Sequence, residues 1–218
     1  MGRFFNMDTP VMRFLSRVGE LMILSALWLV CCCGIVTVGA ATAALHRCVF
    51  NLRADKPGGP VTFFRAFRDN FIKATVLWLL VLVAAAALFG LYLLTLLIEN
   101  DIAAMAVMVV LCLVFFVTLI FTVWAFPLAA YFHNTLGGTM KNALLLGLGQ
   151  LKSSIPACAL VLLPWVALLF MGEMWFGLLV FWLFLAPGAV SWGVTGVLQG
   201  VFSKYAEGEH GISADKAE

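Results

Sequence analysis

Six cysteines and three histidines are the residues of this 218-residue chain that could hold a metal, carry a redox step or pair a nucleophile with a base. Cys31, Cys32 and Cys33 are consecutive, while Cys48, Cys112 and Cys158 stand apart. A zinc half-site needs two ligands separated by a short turn so that both face one ion, and three adjacent cysteines with no second half downstream do not supply it. The cysteines are therefore read as small packing residues of apolar segments, and no disulfide is expected because none lies in an exposed outer loop. His46 sits beside Arg47, His133 closes an apolar stretch and His210 lies near the C-terminus, and no H-E-x-x-H joins any two of them. No G-x-S-x-G turn presents a serine, and no G-x-x-x-x-G-K-S/T loop is there to cradle a phosphate. The expectation is no catalytic residue, no metal site, no cofactor and no enzymatic activity.

The elements that position these residues follow from where charge is missing. Hydrophobic residues make up 64% of the chain, charged residues 11%, and the mean hydropathy is +1.07; soluble domains are roughly half apolar and a quarter charged. Five stretches contain no Asp, Glu, Lys or Arg: Leu21 to Leu45, Ala74 to Ile98, Ile102 to Phe132, Ser153 to Gly172 and Met174 to Ser203. Each can supply the roughly 20 apolar residues of a transmembrane helix. The chain is expected to be a single integral membrane domain over residues 1–218, all-α, a polytopic bundle of five to six membrane helices, with residues 204–218 as a flexible cytoplasmic tail.

Charge placement sets the expected topology. Basic residues cluster before Leu21, between His46 and Lys73, between Lys141 and Lys152, and after Ser203, whereas the connections after Ile98 and Gly172 carry only Glu99, Asp101 and Glu173. Cytoplasmic loops collect Lys and Arg, so both termini are expected in the cytoplasm and the acidic connections outside. That requires the first apolar segment to be two helices, about Val11 to Cys32 and Thr37 to Leu52, joined at Cys33-Gly34-Ile35-Val36 with Gly34 as the bend. The alternative is one long first helix with the N-terminal arginines outside. A short second helix must pack inside the bundle, which the small-residue pairs Gly39/Ala43 and Ala40/Ala44 permit. The result is three hairpins.

Between spans, Pro57-Gly58-Gly59-Pro60 reads as a turn. From Thr62 to Lys73, Phe63, Phe64, Phe67 and Phe71 recur at helical spacing while Arg65, Arg68, Asp69 and Lys73 take the other face, with Arg65 and Asp69 placed for an i,i+4 pair. This segment is expected to be a cytoplasmic amphipathic helix lying at the interface, where the four phenylalanines with Arg65, Arg68 and Lys73 meet lipid or a partner. A second such helix is expected from Thr139 to Lys152, with Leu144, Leu145, Leu148 and Leu151 on one side. Pro127 and Pro187 fall inside the two long returning spans and are expected to bend them. Gly196 and Gly200 form a further small-residue pair for helix packing. Glu20, one turn from Arg17, is expected in an ion pair with it. A transporter ordinarily keeps an ionisable residue in mid-membrane, and no span holds one.

Leu27-Trp28-Leu29, the run Gly34 to Leu45 (G-I-V-T-V-G-A-A-T-A-A-L), Phe64 to Lys73 (F-R-A-F-R-D-N-F-I-K), Phe126-Pro127-Leu128 and Lys141 to Leu146 resemble the YesL family of bacterial membrane proteins, a domain of unknown function. The resemblance runs from about residue 5 to 205 and departs at Cys33, where proline is common. It implies a bacterial cytoplasmic membrane location. Because family members are often encoded beside carbohydrate ABC importers, it also implies an accessory role in sugar uptake, with importer permease subunits and membrane lipids as partners and no nucleic acid. The alternative is a standalone small-molecule transporter or channel. The resemblance brings no catalytic residues with it.

Overall fold

The computed structural model describes residues 10–132, 134–170 and 175–215. The expectations placed on Glu173, on His133 and on the first and last few residues lie outside the described residues. The chain is an all-α polytopic helix bundle, with no strand among the described residues. Its helices are α1 (Pro10–Cys32), α2 (Val38–Arg53), α3 (Pro60–Thr95), α4 (Asp101–Tyr131), α5 (Leu136–Gly149), α6 (Leu151–Phe170) and α7 (Trp175–Asp215). Among the described residues, five segments are long and apolar enough to cross a membrane, from α1, α2 with the turn before it, α3, α4 and α7; α5 and α6, bent by 102°, make a sixth if they are taken together as one span. The helix α7 continues through residues 204–215, which the sequence reading treats as a tail.

The first apolar segment is a hairpin, as the charge placement requires. Between α1 and α2 lies one 3-10 turn, Ile35–Thr37. Gly34 is the hinge for a reason other than backbone freedom: its φ of −92° is open to any residue. An added Cβ there would stand 2.9 Å from Thr37 Oγ1, and that hydroxyl closes the turn by donating to the carbonyl oxygens of Cys31 and Gly34. The turn is then fastened to α3 by Trp78, whose Nε1 donates to the Ile35 carbonyl at 2.8 Å.

Helix α2 is the centre of the molecule. Its 16 residues extend only about 24 Å, short of a hydrocarbon core near 30 Å, and it packs against α1, α3, α4 and α7. Ala40, Ala41, Ala43 and Ala44 are completely buried. At Gly39 the approach is closest, for an added Cβ would lie 2.3 Å from the Ala74 carbonyl oxygen and 2.6 Å from the Trp78 Cβ. Below α2, Phe50, Trp124, Tyr131, Phe132 and Phe202 join in an aromatic knot, with centroid separations from 4.8 to 5.9 Å.

Three boundaries differ from the sequence reading. Helix α2 runs one residue past the expected Leu52, to Arg53, so the connection to α3 is only residues 54–59. Thr62 to Lys73 is not a separate interfacial helix: it is the first third of α3, which starts with Pro60 in its first turn and runs 36 residues without a break. The reason is a single buried stripe, Phe63, Ala66, Ala74, Leu77 and Val81, whose period crosses the point where the charges stop. The second amphipathic helix ends at Gly149 instead of Lys152, because Gln150 (φ −118°, ψ 54°) leaves the helical region and the chain turns into α6.

Candidate functional site

A set of interior polar groups meets where α2 packs on α7. His46 and Arg53 are seven residues apart and so share one face of α2, and Trp192, Thr195 and Gln199 share one face of α7. His46, 7% exposed, has Nδ1 3.3 Å from Thr195 Oγ1. Two turns on, Arg53 donates from Nε to Gln199 Oε1 and from Nη1 to the Trp192 carbonyl, each at 3.0 Å. Its guanidinium carbon lies 4.7 Å from the centre of the Trp192 ring, within the range of a cation–π contact. Nearer the α1–α2 turn, Ser25 Oγ accepts from the Gly188 amide at 2.9 Å and Trp28 donates to Thr42 at 3.1 Å. A buried polar group without a partner costs about 1–3 kcal/mol, and in each of these contacts two helices satisfy one another.

A second set of cations holds the end of α4. Arg47 donates to the Ala130 carbonyl at 3.0 Å, and Lys73 donates to the Asn134 carbonyl at 2.9 Å. The last carbonyls of a helix have no partner within it and carry the negative end of its dipole, so a basic side chain is the natural group to meet them.

The residues singled out in the sequence are not all on one surface. Phe63 is completely buried against α2 and Phe67 is half-buried, packed on the same cluster; Phe64 and Phe71 are exposed, as are Arg65 and Arg68. The aromatic face is thus divided between core and surroundings, and Lys73 is committed to Asn134. Arg65 and Asp69 form no ion pair, and neither do Arg17 and Glu20: among the described residues the ion pair is Arg17 with Asp55. Gly39 and Ala43 lie at the α2–α3 packing, whereas Gly196 receives the Arg53 guanidinium and Gly200 is exposed with nothing near it. Other tight glycines of α7 are Gly188, against Leu21 and Ser25, and Gly193, against Leu160. All six cysteines are free; Cys48 and Cys158 are buried, Cys33 and Cys112 exposed. Among the described residues no three His, Cys, Asp or Glu side chains are grouped to hold a metal.

Sequence reasoning missed the α2–α7 seam because it weighed His46 only beside Arg47 and left Arg53 just past the end of the second helix. The signal was present in the seven-residue interval between them and in the matching interval from Trp192 to Gln199. Residues 21–92 match the family described as protein of unknown function, DUF624. This is the domain-of-unknown-function family to which the resemblance to YesL proteins points. The DUF624 match takes in α1 from Leu21, all of α2 and α3 as far as Tyr92, so it includes the Gly39–Ala74 contact and the α2 half of the seam. No curated protein and no solved structure matches the chain at a significant level.

Proposed function

We propose that the protein is a non-catalytic component of the bacterial cytoplasmic membrane that assists a carbohydrate ABC importer by packing against its membrane-spanning subunits. The observation that carries this reading is the far half of the α3–α4 hairpin. Beyond Trp78 and Phe126, whose rings are 6.4 Å apart, the outward residues Leu79, Val83, Phe89, Leu94, Met105 and Val109 are exposed. With the exception of the Thr75 hydroxyl, which has no partner among the described residues, the polar side chains described above are turned on one another and on helix backbone, an arrangement suited to fixing helices rather than to handling a substrate. The resemblance adds the link to sugar uptake. Phe64, Phe71, Arg65 and Arg68 remain available for docking at the charged end of α3, whether to lipid or to the importer.

In this reading both termini are cytoplasmic and Glu99 is outside. It is supported by the Arg17–Asp55 ion pair and the Arg53–Gln199 contact, which bring the start of α1, the α2–α3 connection and the C-terminal part of α7 to one end of the bundle. Affinity purification in mild detergent followed by mass spectrometry tests the proposal. Importer subunits recovered in near-equal amount are the expected result; a lone protein that moves sugars across liposomes would establish the transporter reading instead.

A further inference from the structure

Where α1 begins, α2 ends and α7 passes, two guanidinium groups gather on one indole. Arg53 lies 4.7 Å and Arg17 5.8 Å from the centre of the Trp192 ring. Arg53 is held from behind by Gln199 and the Trp192 carbonyl, and Gly196 leaves it room, since a Cβ there would stand 2.7 Å from Nη2. Of a guanidinium's five N–H donors, these two bonds use one on Nε and one on Nη1, leaving both hydrogens of Nη2. Neither acceptor is an anion. Asp55 is bonded to Arg17 and is itself 81% exposed, Lys56 is exposed beside it, and Glu20, a turn along α1, makes no ion pair. Like charges this close repel, and a part-buried cation with no counter-ion among the described residues is unfavourable. An anion from outside removes both costs.

The surroundings say which anion fits. The guanidinium fork matches two oxygens of a phosphate, tryptophan concentrates at the membrane–water interface, and this corner lies where helix ends meet the basic connection. We propose that Arg17 and Arg53, packed on Trp192, bind the phosphate of an anionic phospholipid headgroup.

Native mass spectrometry of the full chain in detergent, titrated with short-chain phosphatidylglycerol or phosphatidylcholine, tests this. Wild type is expected to retain phosphatidylglycerol in preference, with Arg53→Gln binding about tenfold more weakly, the loss of one charge-assisted contact. Arg17→Gln gives up only a part-exposed ion pair and keeps the fold testable should Arg53→Gln disturb it; it too should weaken binding. Lys141→Gln, at an exposed lysine on α5, should bind as wild type. Equal retention of both lipids, or an equal loss in all three variants, overturns the site. Displacement of phosphatidylglycerol by millimolar inorganic phosphate would assign the arginines to a free phosphate and overturn the headgroup as their ligand, whereas failure of phosphate to compete supports it.

Discussion

Single residues differ most sharply where an atom is missing. Gly39 and Gly200 are both glycines within helices, yet one has the Ala74 carbonyl in the way of any side chain and the other has open space. Backbone cannot step aside as a flexible side chain can, so Gly39→Ala should destabilise the protein by about 1–3 kcal/mol, as overpacking does. Gly200→Ala should stay within about 0.5 kcal/mol of wild type. Thermal unfolding of the two variants in the same detergent makes the comparison, and an unaltered Gly39→Ala midpoint would refute the close α2–α3 approach. His46 and Thr195 allow a sharper measurement. Thr195→Val leaves a buried ring nitrogen without its partner and should cost about 1–3 kcal/mol. Adding His46→Phe to it should cost less than the two single changes together, because residues in contact are not additive. Strict additivity in the double-mutant cycle would show that the two side chains do not interact.

At the scale of elements, α3 carries the contrast between its two edges. Phe63→Ala removes a fully buried ring and is expected to cost about 3–5 kcal/mol, while Phe71→Ala, at an exposed position, should leave stability within about 0.5 kcal/mol; chemical unfolding followed by tryptophan fluorescence separates them. The α1–α2 hairpin is legible in the sequence because a count of basic residues along the chain is itself a topological constraint, and a Gly inside a long apolar run gives it a place to turn. The continuity of α3 is not, because charge ends at Lys73 while the helix goes on to Thr95. Burial obeys the 3.6-residue period instead, which runs from Phe63 through Ala74 to Val81 without interruption. Leu144, Leu145 and Leu148 do share one side of α5, but that side is the exposed one, and Leu151 belongs to α6 beyond the bend; Thr139, Ala143 and Gly147 face the bundle, since α5 lies close enough to Ile120 and Trp124 that only small residues fit. For the α2–α7 seam, the seven-residue intervals from His46 to Arg53 and from Trp192 to Gln199 mark a face on each helix, but nothing local says that two helices so far apart in sequence pair.

For the whole molecule, the prediction is one of sidedness. In a cysteine-free background, a cysteine at position 100 should react with an impermeant reagent added to intact cells, and one at position 56 should react only after the membrane is opened. Reaction at position 56 from outside would break the three-hairpin arrangement, because α2 and α3 meet at that connection. The central position of α2 also has a consequence in time. Its polar groups are made early and partnered late: Arg47 waits 83 residues for Ala130, Arg53 waits 139 for Trp192 and His46 waits 149 for Thr195. At 5–20 residues per second, the last two intervals occupy roughly 7 to 30 s of synthesis. Through that interval the core helix of the finished protein is the part of the growing chain least able to rest in lipid. Chains cut short before α7 should therefore be degraded faster than full-length protein in pulse–chase labelling, and replacing His46 and Arg53 together with leucine should slow the loss of the truncated chain even as it weakens the complete one.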